Sequence, residues 1–168
     1  IKQYTNAVST LSSAIAANPS NPFLYINRST TRAEMIDFIS SIDNSYQRIT
    51  IDTDPANRLL NRGSRTYNYD DAIEDINKAI KLYPNFAYSY YNRANLHAIS
   101  NKLPEAYDDY TKAIELYPYM GDAYFNRGLV LIYLKDKEKG CIDLSRAGEL
   151  GVRDAYGVIK KYCEEEND

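Results

Sequence analysis

The chain has 168 residues, 44% apolar and 26% charged, enough to build a core and against wholesale disorder. No run approaches the about 18 apolar residues of a membrane span, and scarce Gly and Pro (7 and 6) disfavour collagen-like, linker-rich and turn-dense all-β chains. Twenty basic against 23 acidic residues leave a net charge of -3, without the basic footprint of a nucleic-acid or polyphosphate binder.

In chain order, Ala7, Leu11 and Ala14 form a short helical stripe closed by Pro19. Leu24-Tyr25-Ile26-Asn27-Arg28-Ser29 begins the next segment, and Met35, Phe38, Ile42, Tyr46 and Ile49 carry helical spacing to Ile51. Regularity then fails. Either a loop covers 50–68, or residues are absent from the chain near 50–66, as a break or deletion there would produce. Asn61-Arg62-Gly63-Ser64 leads into a clear amphipathic helix with Ala72, Ile73, Ile76, Ala79 and Ile80 on one stripe. Pro84 and Pro118 fall just past helix ends, and Pro104 just inside a start, where its missing N–H costs nothing. Asp70-Asp71 and Asp108-Asp109 are each expected to open a helix, at the positive end of its dipole. Val152, Tyr156, Ile159 and Cys163 mark a last amphipathic helix before the charged tail Glu164-Glu165-Glu166.

A period runs through these segments. Ala72 and Ala106 stand 34 apart, as do Pro84 and Pro118, and Tyr90-Tyr91-Asn92-Arg93-Ala94 returns 34 later as Tyr124-Phe125-Asn126-Arg127-Gly128. Small residues at 94, 106, 113, 128, 140 and 147 let neighbouring helices approach, and aromatics at 90, 110 and 124 fill the holes between them. Helix pairs that cannot bury their faces alone must stack.

Tyr90, Ala94, Ala106, Tyr110, Ala113 and Pro118, with Tyr124, Gly128, Gly140, Leu144 and Ala147 after them, resemble the tetratricopeptide repeat (TPR) family. The departure is Val152, which stands where the closing Pro is expected. The resemblance implies an all-α, right-handed α-solenoid of antiparallel helix pairs. Its units would be 1–19 (second helix of a truncated repeat), 20–54 (irregular), 55–84 (shortened), 85–118 and 119–151 (full), with a capping helix at 152–165. The chain starts at Ile1 with neither Met nor signal peptide, as a fragment or processed form would. Compartment stays open.

Chemistry is scarce. There is no P-loop, no His-Glu-x-x-His and no Cys-x-x-Cys, so neither an enzyme nor a cofactor is expected. The single histidine, His97, stands where the TPR pattern has Tyr and is expected to pack structurally. Cys141 and Cys163 are too few for a disulfide scaffold or zinc site and are expected as two reduced, packed thiols, with a disulfide pinning the cap as the alternative. Asn27-Arg28-Ser29 fits a glycosylation sequon, but it recurs as the Asn-Arg pair of the repeat.

The resemblance implies a scaffold that binds a protein or peptide on the concave face lined by first helices. On its register Tyr88, Tyr91, Asn92, Asn95 and Ile99 point inward, then Asp122, Phe125, Asn126, Leu129 and Tyr133. Leu24, Asn27, Thr30 and Thr31 would join them. Amides at 27, 92 and 126 can bond a ligand's main chain, or instead satisfy neighbouring groups; Tyr gives a rigid contact with a polar tip. Some TPR domains clamp a C-terminal carboxylate with two Asn, two Lys and an Arg. Here Asn126 stands in place of that Arg and Asp122 in place of a Lys, which opposes a carboxylate. Self-association through an open solenoid end is the alternative. The 17 Tyr, with no Trp, divide accordingly: Tyr25, Tyr90, Tyr110 and Tyr124 to packing, Tyr88, Tyr91 and Tyr133 to the groove.

Overall fold

The computed structural model describes residues 1–44 and 68–164. Among these, the elements are α1 (Lys2–Ala17), α2 (Pro22–Asn44), α3 (Asp70–Leu82), α4 (Ala87–Ile99), α5 (Leu103–Leu116), α6 (Gly121–Tyr133), α7 (Lys137–Glu149) and α8 (Asp154–Tyr162). The irregular stretch at 50–66, the helical spacing beyond Asn44 and the tail beyond Glu164 lie outside the described residues.

Each helix packs on the next, and α2, α4 and α6 also touch in series. The result is an all-α solenoid of antiparallel pairs, α2–α3, α4–α5 and α6–α7, with α1 before them and α8 after. Among the described residues, α2 from the stretch 20–54 packs against α3 from the stretch 55–84.

Two kinds of turn repeat. Asn18, Tyr83 and Tyr117 close α1, α3 and α5 with φ near -140°, each N–H donating to the carbonyl of Ala14, Ala79 or Ala113. A proline follows each, since it cannot continue a helix. The other turns leave the helix through a left-handed residue, Asn101 (φ 58°) after α4 and Lys135 (φ 66°) after α6. The next N–H, of Lys102 or Asp136, then returns to His97 or Leu131 at 2.8 and 2.9 Å and satisfies an orphan carbonyl.

The core forms where small residues allow contact. Ala94, Ala106, Ala113 and Ala123 are fully buried around Tyr110, which is also fully buried. Burial pushes the Tyr110 phenol far above its ordinary value. At the next pair, Gly128 and Gly140 face each other so closely that a Cβ on Gly128 would lie 2.9 Å from the Gly140 carbonyl oxygen. On α3 the expected stripe is buried at Ala72, Ile73, Ile76 and Ala79, with Ile76 and Ala79 at 0% exposure, and half-buried at Ile80.

Three expectations change. Asp70 and Asp71 do open α3, but Asp108 and Asp109 lie in the second turn of α5, which Leu103 and Pro104 have already started. Asp109 is buried, engaged by Arg93 rather than by a helix dipole. Cys141 and Cys163 are not reduced thiols: they form a disulfide across Cα atoms 5.7 Å apart, within the span such a bond requires. The capping helix α8 turns Ala155 and Val158 inward, with Ile159 and Tyr162 partly buried, whereas Tyr156 is 61% exposed.

Candidate functional site

The first helices of the pairs are held by one polar seam used three times. Arg93 on α4 donates from Nε and Nη2 to both oxygens of Asp109 on α5, and from Nη1 to Asn77 Oδ1 on α3 at 2.6 Å. Arg127 does the same with Asp143 on α7 and Thr111 on α5. Arg28 on α2 grips Asp75 on α3 and reaches Ser12 on α1. The backward partner stands 16 residues before the Arg in all three cases. The forward partner stands 16 after in two of them, but 47 after for Arg28.

Each guanidinium also lies over the tyrosine three residues before it, Tyr25, Tyr90 or Tyr124, at 5.9, 5.7 and 5.6 Å from the ring centre. These half-buried tyrosines therefore hold the arginines as well as filling space. The fork of Arg matches two carboxylate oxygens at once, which fixes the angle of each first helix against its neighbours. Sequence reasoning noted the Asn-Arg pair but missed this role; the signal was Asp75, Asp109 and Asp143, which recur at the same 34-residue period.

So held, α2, α4 and α6 present one face. Asn126 on α6 donates from Nδ2 to Asn95 Oδ1 at 3.0 Å and to Tyr91 Oη at 3.4 Å on α4. Asn95 Oδ1 also accepts from Tyr110 Oη at 2.6 Å. The Tyr91 ring rests on Tyr110 with centres 6.0 Å apart. Burial pushes the Tyr91 phenol up, and the nearby charge of Asp122 adds to the effect. The Asn126 amide N–H groups are thus engaged by Asn95 and Tyr91, which helps to fix the half-buried Tyr91.

Around this network Tyr88 (50%) and Tyr133 (51%) are exposed, as are Asp122 and Asn27, while Asn92 and Phe125 are half-buried. Two expected groove residues are placed elsewhere. Leu129 is buried and packs against Leu144 on α7 and Val158 on α8. Ile99 is half-buried against the cluster of Tyr69, Ile73, Ile76 and Leu96. On α2, the Thr30 and Thr31 hydroxyls donate back to the Ile26 and Asn27 carbonyls, and Leu24 is half-buried.

At one lip of this face the aromatics crowd. Phe86 stacks on Tyr83, meets Phe23 edge-on and leans on Tyr88, all with centres between 5.5 and 5.7 Å. No group of three or more metal-ligating side chains occurs among the described residues, and no described helix is long and apolar enough to cross a membrane. His97 is half-buried on the packed side of α4, 3.6 Å from Asp109, where the sequence places a structural residue.

Stacked antiparallel helix pairs with a continuous inner face define a repeat scaffold. Residues 87–120 match the tetratricopeptide repeat, and the fold is that of a TPR solenoid. No curated protein matches the chain. Among solved structures, MamA is similar over 95% of this chain and 86% of its own, at 17% identity and a TM-score of 0.65. The first TPR of Spaghetti (RPAP3), solved bound to the HSP90 peptide SRMEEVD, is 26% identical with a TM-score of 0.55, covering 69% of this chain and 96% of that one. The second TPR domain of human RPAP3, in complex with the HSP70 peptide SGPTIEEVD, is 25% identical with a TM-score of 0.54, over 67% and 92%.

Proposed function

We propose that the protein is a non-enzymatic scaffold that holds an extended peptide, or an exposed segment of a protein, on the face of α2, α4 and α6. The observation that carries this is the preorganised aromatic and amide surface itself. Tyr91 is fixed before any ligand arrives by Tyr110, Asn95 and Asn126, so binding need not order it. Tyr88, one turn before it on α4, and Tyr133, at the end of α6, stand exposed as rigid anchors with polar tips. The peptide complexes of the RPAP3 domains support peptide as the ligand class.

The test is affinity capture with three proteins: wild type, a concave-face Tyr88→Ala/Tyr133→Ala variant, and an outer-surface Ile142→Ala variant. Ile142 is 63% exposed on α7, so its truncation leaves the fold intact. A partner retained by wild type and Ile142→Ala but lost by the double variant is the expected result. Retention of every partner by the double variant would show that another surface does the work.

A further inference from the structure

The charges of the inner helices point one way. Helices α2, α4 and α6 carry Arg28, Arg32, Arg93 and Arg127 and no lysine. All four guanidiniums are bonded to buried carboxylates of the second helices: Arg28 and Arg32 to Asp75, Arg93 to Asp109, Arg127 to Asp143. Arg93 and Arg127 are each matched by one carboxylate, while Arg28 and Arg32 share Asp75, so three of the four positive charges are offset within the seams. Glu34 and Asp122, by contrast, are exposed, and neither enters an ion pair among the described residues. Glu34 follows Arg28 by the interval that separates the exposed Tyr133 from Arg127, so it shares the register of Tyr133.

Asp122 sits one turn before Asn126 on α6, and Tyr88 one turn before Tyr91 on α4. Because Asn126 bonds both Tyr91 and Asn95, those two turns face each other across the inner surface. The Tyr88 ring is braced from behind by Phe86 and the Tyr91 ring by Tyr110. A carboxylate beside two supported phenol rings suits one ligand chemistry. A cation gains ring-face attraction and a charge-assisted hydrogen bond together, whereas an anion meets the repulsion of the carboxylate.

We infer that the inner surface recognises a partner segment through an arginine or lysine side chain, seated between Tyr88, Tyr91 and Asp122. This rests on the reading of the inner surface as the binding face and narrows it to a basic ligand. It sets the protein apart from a receptor for acidic C-terminal tails.

Random-sequence peptides displayed on phage are selected against the wild-type chain, and the consensus peptide is measured by fluorescence anisotropy against wild type, Tyr88→Ala, Asp122→Asn and Asp122→Lys, each checked by circular dichroism. The expected consensus contains Arg or Lys. Asp122→Asn then weakens binding about tenfold, and selection against Asp122→Lys returns acidic peptides. An acidic or uncharged wild-type consensus that is still lost on Tyr88→Ala overturns this inference and leaves the inner face as the binding surface. Peptides whose binding ignores both Tyr88→Ala and the Asp122 variants overturn the inference and the binding-face reading together.

Discussion

Arg93 and Asp109 meet through two parallel bonds, Nε to Oδ2 at 2.7 Å and Nη2 to Oδ1 at 2.6 Å, and thereby lock α4 against α5. The Arg93 side chain is 23% exposed and that of Asp109 only 9%. Removing one partner strands the other where water reaches it poorly. Asp109→Ala should therefore lower stability by about 2–3 kcal/mol, below the usual cost for a fully buried pair because Arg93 keeps some solvent. Arg93→Met/Asp109→Leu should recover much of that loss, since an apolar pair strands no charge. Urea unfolding followed by circular dichroism checks both, and an Asp109→Ala midpoint equal to wild type would show that the bond contributes nothing net.

Helices α6 and α7 come close together at Gly128 and Gly140. A Cβ on Gly128 would lie 2.9 Å from the Gly140 carbonyl oxygen and 3.0 Å from Leu144 Cγ. Gly128→Ala should therefore destabilise by about 1–3 kcal/mol through overpacking, despite alanine's better helix propensity. Gly157 on α8 is exposed with nothing within 4 Å of a new Cβ. Gly157→Ala should instead stabilise by about 0.5–1 kcal/mol through propensity alone. Thermal melts of the two variants should move in opposite directions. An unchanged or raised Tm for Gly128→Ala would mean that close packing does not set the choice of glycine at 128, and a fall for Gly157→Ala would mean that helix propensity does not govern that site.

Much of this fold was legible because packing repeats leave a periodic trace. Ala94, Ala106, Gly128 and Gly140 reveal helix contact through their size, and Pro84 and Pro118 mark the turns. The pair α2–α3 was not legible, because Arg28 and Asp75 lie 47 residues apart instead of 16, and the period breaks between them. Asp109 misled because two adjacent acids imitate a helix start, although Pro104 had already marked one. Leu129 misled for a tertiary reason: the repeat register turns it inward, but α8 then packs over it. Register within a helix does not say what lies across from it.

The disulfide between Cys141 on α7 and Cys163 just past α8 closes a loop over a sequence separation of 22. It ties the terminal helix down so that its Val158 covers Leu129 and Leu144. A cross-link of that span restricts the unfolded chain, so its loss should cost about 3 kcal/mol. Melting with and without reductant should show a clear fall in Tm on reduction, and Cys163→Ser should reproduce it without reductant. Thiol titration of the unfolded, unreduced protein should find no reactive cysteine. Two reactive thiols in that assay would mean that the pair does not form.

His97 gives the molecule a pH dependence whose sign follows from its surroundings. Its Nδ1 is buried without a hydrogen-bond partner, and its Nε2 is 3.6 Å from Asp109 Oδ2. Burial is the largest influence and lowers the imidazole below its ordinary 6.5. Asp109 opposes this, Arg93 and Lys102 add to the lowering, and Glu105 opposes it weakly. The unfolded chain therefore binds a proton at a pH where the folded chain still refuses it. Stability is full above the unfolded value and falls as the pH drops from about 6.5 toward the lower folded value. His97 is the only histidine, so the effect has one source. Between about pH 7 and pH 5 the Tm of wild type should fall more than that of His97→Gln, which carries no titrating group. Parallel curves would mean that the imidazole titrates alike in both states. A smaller fall for wild type would mean that Asp109 outweighs burial and raises the imidazole instead.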